Sequence, residues 1–126
     1  MKLRCITITE DKKIPMLDQV TVTENNILYL DNLPYSNLNG INILNEIELT
    51  YIDLGNYIFA ISVNEDILTN FDDKTKMYGI YPVYPNIKFI NRPLWGDIVV
   101  LKIVDDKIYE LAIDEVDEYI NVLNRN

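Results

Sequence analysis

The chain contains no histidine, which removes the usual general base near neutral pH and the commonest transition-metal ligand. Cysteine–histidine and serine–histidine nucleophile arrangements are thereby excluded. Its four glycines are scattered and build no phosphate-cradling loop. Carboxylates remain. Glu46 and Glu48 stand at alternate positions of E-I-E-L-T-Y-I, so an extended chain presents both on one face. A pair held rigidly in this way can bind Mg²⁺ or Ca²⁺, or divide acid and base roles. Asp72–Asp73 and Asp105–Asp106 are also paired, but adjacent aspartates are ordinary turn residues.

A second candidate is aromatic. Tyr78, Tyr81, Tyr84, Phe89 and Trp95 are interleaved with Pro82, Pro85 and Pro93 and joined by Arg92, in a segment ending N-R-P-L-W-G-D-I-V-V. Aromatic planes with an arginine can stack a base and hold a phosphate. The same composition marks protein-binding hot spots, where Tyr, Trp and Arg are enriched. It equally describes a proline-stiffened loop packing its rings over a sheet edge.

The elements that must position these residues read mostly as strands. K-L-R-C-I-T-I at 2–8 is a first strand, with Cys5 a small buried hydrophobe inside it. Residues 20–23 and 27–30 flank the polar turn Glu24-Asn25-Asn26, predicting a hairpin. Ser36 could cap a short helix carrying Leu38, Ile41 and Leu44, although Gly40 and several asparagines oppose it. In residues 46–52, period two puts Ile47, Leu49 and Tyr51 on one face. Asp53-Leu54-Gly55-Asn56 then turns, and residues 57–63 return, apolar at consecutive positions as in a central strand. Residues 64–74 read as a turn or short helix. Pro82 and Pro85 argue against a central strand before Ile87. Asp97 to Val104 is a β-branched run, followed by a turn at Asp105-Asp106-Lys107. The C-terminal segment predicts a helix with Ile113, Val116, Ile120 and Leu123 on its buried face and acids in its first turns.

With 126 residues, of which 48% are apolar and 25% charged, the chain is expected to form a single ordered domain, 1–126. A single cysteine fits a reducing compartment. The absence of a long apolar run before Glu10 predicts no signal peptide, and no stretch suits a membrane span, so a cytoplasmic protein is expected. Abundant isoleucine and asparagine fit an AT-rich genome. The net charge of −9 is uneven: no Lys or Arg occurs from Ile14 to Asp73, and a second acidic block runs from Asp105 to Glu118. Such a surface repels phosphate backbones and anionic lipid, which excludes direct nucleic-acid or membrane binding through a basic patch. It favours a protein partner with a basic surface, although acidity also serves solubility alone.

From Leu38 onward the order is a short helix, I-E-L at 47–49, a glycine turn at 55, an apolar strand, V-N-E-D at 63–66, N-R at 91–92, G-D-I-V-V at 96–100 and E-Y-I-N-V-L at the end of an acidic helix. This layout resembles an uncharacterised family of small phage and mobile-element proteins (domain of unknown function 3846), whose members run helix, "YIEVV", glycine turn, apolar strand, "NEEG" and terminal acidic helix. The resemblance spans about residues 36–124. It departs where Ile67 stands in place of the glycine, and residues 14–33 read as a hairpin insertion. It implies a mobile-element origin and no known catalytic residue. The matched positions of interest are Asn64, Glu65, Asn91 and Arg92.

The sequence therefore predicts an α+β domain, a mainly antiparallel twisted sheet with the C-terminal helix packed on one face. The expected function is non-enzymatic: a phage or mobile-element accessory protein that binds and inhibits a host factor, of the anti-defence type, through its acidic surface. Alternatives are a module sequestering a small nucleotide with Tyr81, Tyr84, Trp95 and Arg92, or an immunity protein against a cognate toxin. No cofactor is expected, and a metal-dependent enzyme using Glu46 and Glu48 is the sole catalytic form the residues sketch. Exposed edge strands make a homodimer a further option.

Overall fold

The computed structural model describes residues 1–43, 45–52, 57–89 and 92–125. Leu44, the turn at 53–56 and Asn91 lie outside the described residues. Almost every alternating or apolar run becomes a strand. In chain order these are β1 (Lys2–Ile8), β2 (Pro15–Val22), β3 (Ile27–Leu30), β4 (Ile41–Asn42), β5 (Ile47–Tyr51) and β6 (Ile58–Val63). A 3₁₀ turn (Glu65–Ile67) leads to β7 (Thr69–Asn70), β8 (Lys76–Tyr78), β9 (Tyr81–Val83), β10 (Pro85–Phe89) and β11 (Arg92–Trp95). Then come β12 (Ile98–Val104), β13 (Lys107–Tyr109) and the helix α1 (Ile113–Asn124). The main sheet has the order β4-β3-β2-β1-β12-β6-β5, with β13 paired to β12. Two smaller sheets, β10-β11 and β7-β8-β9, complete the pairing. All pairs are antiparallel, and the α+β class is as expected.

Why β1, β12 and β6 sit at the centre is visible in their alternation. Ile6 lies opposite Val100, and Val100 opposite Ala60. These residues belong to one apolar cluster with Ile8, Ile58, Leu94, Ile98, Val116, Tyr119 and Leu123. The intervening positions, Leu3, Cys5, Ile61, Val63, Val99 and Leu101, join Val20, Leu28, Leu38 and Ile41 in a second cluster. Strands covered on both faces need apolar side chains at consecutive positions. Each such Ile, Leu or Val contributes about 1.5–3 kcal/mol by leaving water.

Two local expectations are corrected. The helix starting at Ser36 does not form: residues 37–40 are turn and Ile41 enters β4. The Ser36 hydroxyl accepts from the Leu38 amide at 3.2 Å, and Gly40 adopts φ +80°. Local side-chain bonds and glycine thus defeat the helical spacing, while Leu38 and Ile41 stay buried. On α1, Ile113 is 66% exposed and Tyr119 takes its place in the apolar stripe. Tyr119 can be buried because its hydroxyl donates to Glu115 Oε2 at 3.1 Å. β5 ends the sheet among the described residues, so that of its apolar face Ile47 packs against the second cluster while Leu49 and Tyr51 stay nearly half exposed.

Candidate functional site

Arg92 opens β11, and its guanidinium meets the Glu48 carboxylate, carried on β5. A second carboxylate, Glu65 of the 3₁₀ turn, lies 3.8 Å from the same nitrogen. Glu65 in turn accepts from Lys76 Nζ of β8 at 2.7 Å. That ammonium stands 4.5 Å from the centroid of the Trp95 ring, a cation–π distance. One continuous chain of contacts therefore links Glu48, Arg92, Glu65, Lys76 and Trp95. It contains two cations and two carboxylates, so its charge is balanced internally. The Trp95 indole N–H is buried with no acceptor among the described residues.

The cluster draws together four residues singled out by sequence, Glu48, Glu65, Arg92 and Trp95. Lys76, which sequence reasoning did not select, is the piece that covers the tryptophan. The other candidates are placed elsewhere. Asn64 caps the 3₁₀ turn, its side chain accepting from the Asp66 amide at 3.0 Å. Glu46 precedes β5 and turns back to accept from the Asn42 amide at 2.9 Å. Glu46 and Glu48 are therefore engaged separately rather than poised as a carboxylate pair. Among the described residues no group of His, Cys, Asp or Glu suits a metal ion. Tyr81 pairs with Tyr78 across β8 and β9 and is 54% exposed. The Tyr84 backbone is pinned on both sides, its N–H to Glu10 Oε2 at 2.9 Å and its C=O to the Gly96 amide at 2.9 Å. Asn91 lies outside the described residues.

A polar hub beside Gly96 was not selected from sequence at all. Asp97 is buried at the head of β12. Its Oδ1 accepts from the Glu10 amide at 2.9 Å and its Oδ2 from the Ser36 hydroxyl at 2.6 Å. The Asp97 amide donates to Asn37 Oδ1 at 3.0 Å. Asn86 donates to both the Ile8 and Gly96 carbonyls, at 2.9 and 2.8 Å. These bonds join the ends of β1, β10 and β12 to the turn at 36–40. The available signal was the excess of asparagine around a Gly-Asp step, which composition alone does not separate from genomic bias.

Burial raises the pKa of Glu10, and Asp97 and Asp11 raise it further, against the lowering effect of the Tyr84 amide. Its ionised form is thus disfavoured in the fold, and this penalty on stability grows as pH rises through its folded value. Burial likewise pushes the Cys5 thiol far up, reinforced by Asp18 and Asp31, so Cys5 carries no thiolate nucleophile near neutral pH. A groove of about 580 Å³ lies elsewhere, lined by Leu3, Val22, Ile43, Ile108 and Tyr109 among others, and none of the candidate residues borders it.

The acidic stretch divides on folding. Asp18 is buried and accepts from Thr7, Gln19 and Asn32, while Glu46, Glu48 and Glu65 serve as described above. Glu24, Asp31, Asp66, Asp72 and Asp73 of that stretch stay exposed, and a second exposed group follows at Asp105, Asp106, Glu110, Asp114, Asp117 and Glu118, which the ion pairs of the described residues do not engage. No helix among the described residues is long and apolar enough to cross a membrane. Comparison with protein-family models, with curated proteins and with solved structures finds no match to this chain.

Proposed function

We propose that the protein acts by binding rather than catalysis, offering an acidic surface to a basic protein partner. The observation that carries this reading is the outer side of α1. Val116, Tyr119 and Leu123 share an apolar cluster with Ile6, Ile8, Ile98 and Val100, which supports a helix lying across that face of the sheet. Helical spacing then turns Asp114, Asp117 and Glu118 to solvent. Asp105 and Asp106, also exposed, extend the field from the β12–β13 turn. A surface of this sign speeds encounter with a basic partner and fixes its orientation. In the setting implied by the resemblance to small phage and mobile-element proteins, that partner is a host factor and the outcome is its inhibition. The balanced Arg92 cluster speaks for a structural clamp over a nucleotide site, because both its cations are already committed to carboxylates.

The test compares the natural chain with a triple variant, Asp114→Asn, Asp117→Asn and Glu118→Gln, as bait in host lysate. A basic protein retained by the natural chain should be lost from the variant, with affinity reduced by about tenfold, or roughly 1.4 kcal/mol. Higher ionic strength should weaken the same complex. Capture of nothing basic, or capture indifferent to both charge removal and salt, would sink the proposal. Stabilisation by about 2.7 kcal/mol from a nucleotide at a hundredfold excess over its Kd would instead favour the ligand reading.

A further inference from the structure

We propose that the cavity between the end of α1 and β10 binds a small organic anion, a hydrocarbon body carrying one negatively charged head. The cavity measures about 440 Å³, within the range of small-molecule sites. Its apolar walls come from three elements. Pro15 opens β2, Leu123 is the last buried residue of α1, and Ile87 and Phe89 lie on β10. Pro15, Phe89 and Leu123 are buried and Ile87 is half-buried, so together they supply an apolar floor.

A bulge shapes the β10 wall. Pro85 pairs with Trp95 and Lys88 with Pro93, so Asn86 and Ile87 together face the single residue Leu94. An extra residue of this kind bends its strand and re-aims side chains, which is why bulges recur beside binding sites. Here the bulge is pinned. The buried Asn86 carboxamide donates to the Ile8 and Gly96 carbonyls and accepts from the Ile87 amide at 2.8 Å. A wall fixed in this way spares a ligand the cost of ordering it.

Charge selects the occupant. Lys13, in the β1–β2 turn, and Lys88 both border the cavity and are exposed, and no acid borders it among the described residues. Neither lysine enters an ion pair of the described residues. Asp11, close to Lys13 in sequence, borders a separate cavity with Glu10 and Asp97. The carbonyl end of α1 offsets the lysines by about half a charge, against two full ones. In a chain of net charge −9, positive charge thus stands beside a buried apolar floor. Long flexible stems let both ammoniums reach one head group. The larger groove beside Leu3 and Ile108 selects no sign, because Lys2 and Lys107 share its border with Asp106 and Glu110.

Titration of the natural chain with decanoate, followed by NMR, tests this. Decanol and decylammonium keep the body and change the head, while acetate keeps the head and removes the body. Decanoate should shift the resonances of Ile87, Phe89 and Leu123, and each of the other three should bind at least about tenfold more weakly. The double variant Lys13→Gln, Lys88→Gln should weaken decanoate by about tenfold, and raised ionic strength should weaken it too. Absence of shifts at Ile87, Phe89 and Leu123 overturns the proposal. So does binding of decanol or decylammonium as tight as that of decanoate, or shifts centred on Leu3 and Ile108 instead. A double variant that is less stable yet binds decanoate unchanged also overturns it, because the lysines then serve the end of α1 alone.

Discussion

Gly96 stands where two demands meet. Its φ of +77° lies in the left-handed region, and a Cβ added there would fall 2.4 Å from Asn37 Nδ2. That close approach lets the Asn37 carboxamide receive the Asp97 amide. Gly96→Ala should therefore destabilise by about 2 kcal/mol or more, through left-handed strain together with the steric push on Asn37. Urea unfolding measures the loss, and a value near zero would mean that the turn around Asn37 yields freely. In an Asn37→Ala background the steric part should vanish while the strain remains, giving a non-additive cycle. The sequence shows a Gly-Asp step ahead of a β-branched run, but the partner that makes glycine necessary is Asn37, in a turn far earlier in the chain.

At the level of the element, the first turn of α1 is held by a residue that its helical pattern does not single out. Glu115 accepts from the Ala112 amide at 3.0 Å, reaching back over the helix start. It also binds Lys102 of β12 at 2.9 Å and receives the Tyr119 hydroxyl. The Lys102 bond is the main reason that its pKa is lowered, and burial opposes it. The same carboxylate helps to push Tyr119 up to about 12, after burial itself. A lowered folded pKa means that the stabilisation is present above the ordinary carboxylate value and is lost as pH falls through the folded one. Glu115→Gln should therefore cost about 1–2 kcal/mol at neutral pH. Its stability curve should converge with that of the natural chain in acid. A gap that is unchanged by acid would place the effect in packing rather than charge. The acids of this helix were legible as residues favoured by its dipole, yet one of them also ties the helix to the sheet, because Lys102 lies across from it.

For the whole molecule, the net charge of −9 is a repulsion that only part of the fold relieves. Glu48, Glu65 and Glu115 are paired with cations, while the acids of α1's outer side and the β12–β13 turn enter none of the ion pairs among the described residues. Raising ionic strength from about 0.01 to about 0.15 M shortens the screening length from roughly 30 to 8 Å. The melting temperature should rise over that range, as thermal unfolding at fixed pH would show. A fall would mean that the paired clusters outweigh the unpaired acids.

Taken alone, the sequence determined the α+β class, most strand positions, the C-terminal helix and the two-sided burial of β6 and β12. These follow from local periodicity and from apolar residues at consecutive positions, both of which reside in the chain itself. It also determined what chemistry was absent, since a chain without histidine lacks that acid–base and metal-binding group wherever it folds. Tertiary structure decided the rest. It ended the sheet at β5 among the described residues and left Leu49 exposed, where alternation says only which residues share a face. It split a base-free stretch into buried, bonded and solvent-facing acids. It also joined Arg92 of β11 to Glu48 of β5 and Glu65 of the 3₁₀ turn. The reason is one of range: periodicity reports which way a side chain points, whereas pairing and exposure depend on residues brought together from distant parts of the chain.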